Sequence, residues 1–298
     1  MPDGFLLVDK PGGWTSHDVV ARCRRLLGER RMGHAGTLDP MATGLLVLGL
    51  GRATRLLRFV QHLPKTYRAV ALFGVATDTL DADGAVLWRR PMPVGEEEVR
   101  RAAARFVGPV AQVPPMVSAR RVEGRRLYDL AREGKEVERE ARMVEVHAFD
   151  LLDFAPSDYP EAAFRVRCSS GTYVRTLADD LARALGGRAH LKALRRLRIG
   201  SLRVEQAHTL PTLEAASAAG TAGDALLDPA EALADLPAVR VTTETAAAVC
   251  HGAVFAAPLL GIGPPAAGPH RILDTAGRLL AVYRVEGRAA HPEVVIAG

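Results

Sequence analysis

The stretch GHAGTLDPMATG, residues 33–44, constrains this chain more than any other segment. Three glycines, a proline, a histidine and a single carboxylate crowd into it, a composition that defeats both helical and strand periodicity and leaves a loop. Both flanks are regular. Upstream, residues 5–8 form a short apolar run stopped by Lys10-Pro11-Gly12-Gly13, which reads as a strand entering a turn. Val19, Val20, Cys23, Leu26 and Leu27 then fall at helical spacing, with Ser16 as the expected N-cap, Gly28 as the stop and Arg22, Arg24 and Arg25 on the other face. Downstream, the apolar residues 44–50 predict a strand and residues 52–62 a helix. A loop set between helix and strand is a common place to hold functional groups, and the alternative is a tight turn in which Asp39 caps its own backbone. The segment is not a GxxxxGK[ST] phosphate loop, because the lysine is absent.

Strands and helices stay intermixed beyond this point. Residues 67–73 and 162–168 read as strands, and 96–106 as a helix with Val99, Ala103 and Phe106 inward. From 114 to 141 the chain becomes strongly charged and loses its period, apart from a short helical stretch at 127–131, so it reads as an excursion from the core. Ser169-Ser170-Gly171 is a turn; a helix capped by Thr172 or Thr176 should follow and stop at Gly186-Gly187. Residues 197–204 are strand-like again. Residues 204–235 hold six acids and no base, with a small-residue stretch at 215–223, and read as a linker or peripheral segment. A domain boundary is placed near Leu236. The last 63 residues carry a strand at 239–241, a helix capped by Thr242 or Thr243, and a hairpin of 271–274 with 279–285 turning at Thr275-Ala276-Gly277. These describe a small β-rich domain. There is no internal repeat.

Charge is distributed unevenly. The net +5 resolves into +10 for residues 1–203 and −5 for the rest, which suggests that the first two thirds meets a polyanion. Residues 183–203, with seven basic side chains and no acid, are the densest basic segment and the expected place for phosphate contacts. Arginine is 35 of the 39 basic residues, so base composition of the gene is an alternative source of the excess. With 298 residues, 48% of them hydrophobic, the chain suits one large domain with a small companion and not a disordered state. Its longest uncharged stretch, 245–270, is broken by Pro258, Pro264, Pro265 and Pro269 and cannot be a membrane helix. The first residues lack the basic lead and apolar length of a signal peptide, so a cytoplasmic protein is expected.

Other chemistries are disfavoured. Cys23, Cys168 and Cys250 stand far apart, without a CxxC pair. Asp81-Ala82-Asp83-Gly84 looks like a calcium loop, but counted from Thr79 its twelfth position is Arg90 where glutamate is required. The nine histidines show no HExxH spacing, and no GxSxG element occurs. Neither a metal nor a serine nucleophile is indicated.

Taken in order, LLVDKPGGWTSHDVV, GHAGTLDPMATGLLVLGLGRATR, KTYRAV, TDTLDADG, VPPMVSARRVEGRRLYDLAREG and CSSGTYVRTLADDLARALGGRAHLKALRRLRIG resemble the bacterial tRNA pseudouridine-55 synthase family, the TruB type, over nearly the whole chain. The resemblance implies an α+β fold, with a mixed, mainly antiparallel sheet, flanking helices and a small C-terminal β-barrel similar to a PUA domain. It divides the chain into a catalytic domain at 1–235, with 113–146 as an RNA-contacting excursion, and a PUA-like domain at 236–298. It also implies a monomer that isomerises one uridine in the T arm of tRNA without cofactor, metal or protein partner.

The site residues follow from the same resemblance. Asp39 is the expected catalytic carboxylate, Tyr67 the aromatic that stacks on the target base, Arg175 the partner of the aspartate and His34 a group that enters the RNA loop. Asp81, Tyr173 and Leu194 are expected to line the pocket, and Arg120, Arg121, Arg125, Arg126, Arg195 and Arg196 to meet phosphates. Two positions depart from the family pattern: Val117 stands where an aromatic is usual, and Arg121 where lysine is. Converting uridine to pseudouridine changes no redox state and adds no group. A carboxylate held charged by an arginine can act as nucleophile or as base toward the ribose, and a tyrosine can stack on uracil with its hydroxyl near the C5 proton. A tRNA-binding folding factor that does not use the site is the second reading.

Overall fold

The computed structural model describes residues 3–115, 139–263 and 268–296, together with the backbone of 121–122 and 125–126. Seven long strands build the larger sheet: β1 (Gly4–Lys10), β2 (Thr43–Leu50), β3 (Lys65–Phe73), β4 (Gly108–Gln112), β5 (Arg142–Ala155), β6 (Glu161–Cys168) and β7 (Ala189–Ile199). From edge to edge the order is His208–Thr209, β1, β2, β7, β3, β6, β5, β4, and short strands bring the total to eleven. The β7–β2 and β1–His208 pairs are parallel and the others along this path antiparallel, so the sheet is mixed and mainly antiparallel, as expected.

β2 shows why its sequence is apolar at nearly every position. Leu46, Leu48 and Leu50 pack with Val19, Val20 and Cys23 of α1 (Ser16–Leu27), whereas Leu45 and Val47 pack with Leu57, Phe59 and Val60 of α2 (Leu57–His62) and with Leu273, Leu279 and Val282 of the C-terminal sheet. A strand covered on both faces has no polar side to present. β3 lies further along and alternates, with Tyr67, Ala69, Ala71 and Phe73 turned into a core shared with α3 (Glu96–Ala104) and α4 (Val174–Ala184).

Several boundaries differ from the sequence reading. Thr15, not Ser16, caps α1 in a reciprocal box with Asp18, and Gly28 in the left-handed region ends the helix. Residues 51–56 are a 3-10 turn leading into α2, so the expected single helix is two pieces. α4 is capped at Tyr173, not at Thr172 or Thr176, and without a side-chain cap. The acidic segment is not a linker. His208–Thr209 and Leu226–Leu227 both pair with β1, and α5 (Leu210–Ala218) packs on α1 through Leu210 and Leu213 with an Arg22–Glu214 ion pair beside them. The expected helical stretch at 127–131 lies outside the described residues.

The smaller sheet runs from Ala238 to Val295 in five strands curled round their own core as a half-barrel, with Ala238–Arg240 and Phe255–Ala256 at its two edges. The expected hairpin is there, as Gly268–Leu273 with Leu279–Glu286, and α6 (Thr243–Cys250) is capped by Thr242. Ala289–Val295, which the sequence reading missed, adds a strand to it. No helix among the described residues is long and apolar enough to cross a membrane.

Gly44, at φ +98°, is where β2 leaves the 33–44 loop, and a Cβ there would overlap the Arg196 carbonyl oxygen. Gly13, at φ +79°, has open space around the same position. Gly44→Ala should therefore cost about 3 kcal/mol or more, a strained φ plus overpacking, and Gly13→Ala only about 1 kcal/mol. Urea unfolding of the two variants checks the difference.

Candidate active site

The 33–44 loop is pinned from three sides. Ser16 Oγ, inside the first turn of α1, accepts from Leu38 N at 2.8 Å and donates to Leu38 O at 3.2 Å. Lys10, wholly buried at the end of β1, donates from Nζ to the carbonyls of Trp14 at 2.6 Å, Pro11 at 3.0 Å and Pro40 at 3.1 Å. Arg196 of β7 reaches the loop from below, with Nε on Leu45 O at 2.7 Å and Nη2 on Gly36 O at 3.0 Å. Asp39 is thus presented by a loop whose backbone has little freedom.

Its carboxylate meets Arg175 in a two-point contact, Nε to Oδ2 at 2.9 Å and Nη2 to Oδ1 at 3.0 Å. The remaining edge of the guanidinium donates to Thr79 O at 2.6 Å and lies 3.2 Å from Asp81 Oδ2. Arg175 is almost fully buried, while about a third of the Asp39 side chain, 32%, stays open. That open part faces a pocket of about 340 Å³ whose wall also includes Tyr67, Tyr173, Leu194, Lys65 and Arg196. A cavity of this size suits a small-molecule or single-nucleotide guest.

Burial is the largest influence on Asp39 and lifts its carboxyl above the ordinary value; Asp81 adds to the rise, and Arg175 and Lys10 oppose it. Desolvation pushes Lys10 and Lys65 down, each to about 8. Tyr67 is raised by burial, so its hydroxyl keeps its proton at neutral pH. His34 is lowered by burial and by Arg196 and His17, which leaves a neutral imidazole.

The structure brings Asp39, Tyr67, Arg175, Tyr173 and Leu194 to one pocket. Asp81 is not in its wall: at 4% exposure it stands behind Arg175 and acts on the guanidinium. His34 lies outside the wall too, on the short strand Met32–His34 that pairs with β2. One expectation needs correction. Arg196 is 1% exposed and bonded to the carbonyls of Leu45 and Gly36, so it is an internal support and not a surface phosphate contact. Arg195 pairs with Asp9 at 2.7 Å and keeps 39% of its side chain open to solvent. Neighbours on a strand point to opposite faces, and that parity could be read only after the register was known. Arg120 lies outside the described residues, and of Arg121, Arg125 and Arg126 only the backbone is described, as a two-stranded ribbon. Lys10 and Ser16 were missed as supports of the site; their signal was the KPGGWTS turn itself, which lies against the 40–43 segment through a Gly13 N to Pro40 O bond of 2.9 Å. Among the described residues no cluster of ligating side chains could hold a metal.

Residues 24–174 match the model of the TruB family pseudouridylate synthase N-terminal domain, and 175–235 that of the tRNA pseudouridylate synthase B C-terminal domain. The chain is 46% identical to the tRNA pseudouridine synthase B of Thermobifida fusca (strain YX), with 100% of both chains covered. It is 51% identical to that of Symbiobacterium thermophilum over 84% of this chain and 82% of the relative. Among solved structures it is similar to a chain in the crystal structure of a Cbf5-Nop10-Gar1 complex, with TM-score 0.75 and 27% identity over 98% of this chain and 84% of the other. A chain in the structure of an H/ACA RNP bound to a substrate RNA containing 2'-deoxyuridine gives the same TM-score, 0.75, at 25% identity over 98% and 84%.

Ser16→Ala leaves both the Leu38 N–H and its carbonyl without their buried partner, and should cost about 1–3 kcal/mol. Thermal and urea unfolding measure the loss.

Proposed function

Since the chain belongs to the TruB family and is a tRNA pseudouridine synthase, an isomerase, we propose that its target is a single uridine in the T arm of tRNA and that Asp39 carries the reaction. The observation behind this reading is the two-point Arg175–Asp39 pair in the wall of a nucleotide-sized pocket beside Tyr67.

The reaction breaks the N-glycosidic bond, turns the detached uracil and joins its C5 to the ribose C1'; the C5 proton leaves at the end and N1, freed from the ribose, gains one, so the product is an isomer of the substrate. Asp39 meets the ribose as an oxygen nucleophile or as a base; in both roles it must be ionised. Arg175 holds the carboxylate in place by two parallel hydrogen bonds, while burial makes the ion more reactive than a solvated aspartate. Tyr67 stacks on the uracil, and burial keeps its hydroxyl protonated. Leu194 and Tyr173 close the pocket around the base.

A uridine must leave its stack to reach Asp39, at a cost of a few kcal/mol. Stacking on an aromatic side chain contributes about 1–3 kcal/mol, which offsets much of it. His34, as a neutral ring, enters the space the base vacates without bringing a desolvated charge. In this reading the division is 1–235 for catalysis and 236–298 for a PUA-like domain, and the 113–146 segment contacts RNA.

Asp39→Asn should abolish pseudouridine formation and leave tRNA affinity within about threefold, because the amide keeps the shape but loses the charge that reacts. Mapping pseudouridine by position in an unmodified tRNA transcript tests both the residue and the T-arm site; full turnover by the variant, or product elsewhere, would overturn the respective assignment. The pH dependence has a definite sign. The ionised form of Asp39 is the active one and its carboxyl is raised, so single-turnover rates should fall on acidification through a value above the ordinary ~3.9 of an aspartate.

A further inference from the structure

Arg175 sits in the first turn of α4, and that helix has no side-chain cap of its own. The first N–H groups of a helix need partners from elsewhere. One partner comes from a distant strand. Gln112, the last residue of β4, is 1% exposed, and its amide forms a reciprocal pair with the backbone of the N-cap residue: Tyr173 N donates to Oε1 at 3.0 Å, and Nε2 donates to Tyr173 O at 3.1 Å. The backbone groups have fixed roles as donor and acceptor, so only one orientation of the amide satisfies both. This is the bonding one more residue of a β-ladder would supply, made by a side chain. Tyr173 O also accepts from Leu177 N at 3.1 Å, so the same carbonyl joins the clamp to the helical ladder.

The geometry downstream is stiff. Arg175 follows Tyr173 by two residues within one helical turn, and its guanidinium must meet Asp39, Asp81 and Thr79 O together. Tyr173 itself lines the pocket. Gln112 does not line the pocket, and among the described residues both of its side-chain hydrogen bonds end on Tyr173. It is also held firmly at its other end, since its backbone pairs with Arg142 of β5. A displacement of the α4 N-terminus would carry Arg175 with it, and misplacement of a catalytic group by about 1 Å can cost about a hundredfold in rate.

We propose that Gln112 is a positioning residue for the isomerisation: its side-chain amide fixes the start of α4 so that Arg175 meets Asp39 in the two-point geometry. This rests on the reading of Asp39 and Arg175 given above. Gln112→Asn keeps the amide but draws it back by one carbon, so that it cannot reach both Tyr173 N and Tyr173 O, and Gln112→Met removes both bonds while keeping the volume. Single-turnover pseudouridine formation on a full tRNA transcript should slow about 10–100-fold in each, with tRNA Kd changed less than about threefold. The acid limb of the rate profile should move to higher pH, because Arg175 is one of the groups that hold the Asp39 carboxyl down. Circular dichroism over the same pH range shows whether each variant stays folded through the limb, so a limb that moves in folded protein reports positioning and not acid unfolding. A folded variant with the wild-type rate and limb overturns the proposal, as does a slowed variant whose limb is unmoved; if Gln112→Met fails to fold, Gln112→Asn decides. Asp39→Asn run alongside keeps the two ideas apart. An active Asp39→Asn sinks the reading of the site, whereas an inactive one beside unaffected Gln112 variants sinks only the role of Gln112.

Discussion

One guanidinium organises the centre of this molecule. Arg175 is bonded to Asp39, 136 residues away in sequence, and to Thr79 O, 96 residues away, and it faces Asp81 as well. Burying charges costs several kcal/mol per ion unless geometry and further hydrogen bonds compensate. Here the compensation is divided between two carboxylates and a backbone carbonyl, and the two carboxylates differ. Asp81 is enclosed and serves the arginine, whereas Asp39 keeps one side toward the pocket and can serve a substrate. The arrangement works only if the 33–44 loop, the 77–84 turn and the α4 start arrive at one point, and the sheet order fulfils that condition. Strand β7 lies between β2 and β3, so the loop that opens into β2 and the face of β3 that carries Tyr67 are neighbours across Arg196.

How much of this could be read from the sequence depends on the range of the interaction involved. Local signals served well: α1 with its Gly28 stop, the apolar run of β2 and the C-terminal hairpin all follow from residues within one or two turns of each other. Where a side chain's partner lay more than a hundred residues away, local pattern gave the residue but not its direction. Arg195 and Arg196 looked alike as members of a basic run, yet strand parity sends one to Asp9 and the other into the core beneath the loop. The N-cap of α4 was sought among the nearby threonines because capping is usually local; it falls on Tyr173, whose backbone is held by Gln112 from a distant strand. Residues 204–235 looked peripheral for a similar reason. Their small side chains and acids suggest a linker until the pairing with β1 is seen.

The charge distribution also changes meaning in three dimensions. The net +10 of residues 1–203 stands, but the densest basic segment is largely engaged within the protein. Arg183 and Arg188 both reach Asp179, at 2.9 and 2.7 Å, Lys192 reaches Glu161 at 2.6 Å, Arg195 reaches Asp9, and Arg196 is enclosed. Arg183 and Lys192 nevertheless stay more than half open, at 57% and 54%, so part of this charge still faces solvent. Residues 10–58 hold nine basic and three acidic side chains, an excess of +6 on the two sides of the 33–44 loop in the sequence. Within that segment Arg22 is paired with Glu214, Arg52 with Asp3 and Arg58 with Glu293, whereas Arg25, Arg30 and Arg31 are exposed at the end of α1 and in the turn that follows it. The acidic excess of 204–235 has a structural use, since Glu214 from that segment neutralises Arg22 on the helix it packs against. In space Arg31 stands at the Leu50 end of β2, where its carbonyl accepts from Gly51 N at 2.8 Å and Met32 pairs with Leu50, whereas the Asp39 loop meets the other end of that strand at Gly44 and the first turn of α1 at Ser16. Closeness in sequence therefore does not carry these arginines to the mouth of the site, and the charge that is open to an anion has to be read residue by residue from its place in the fold.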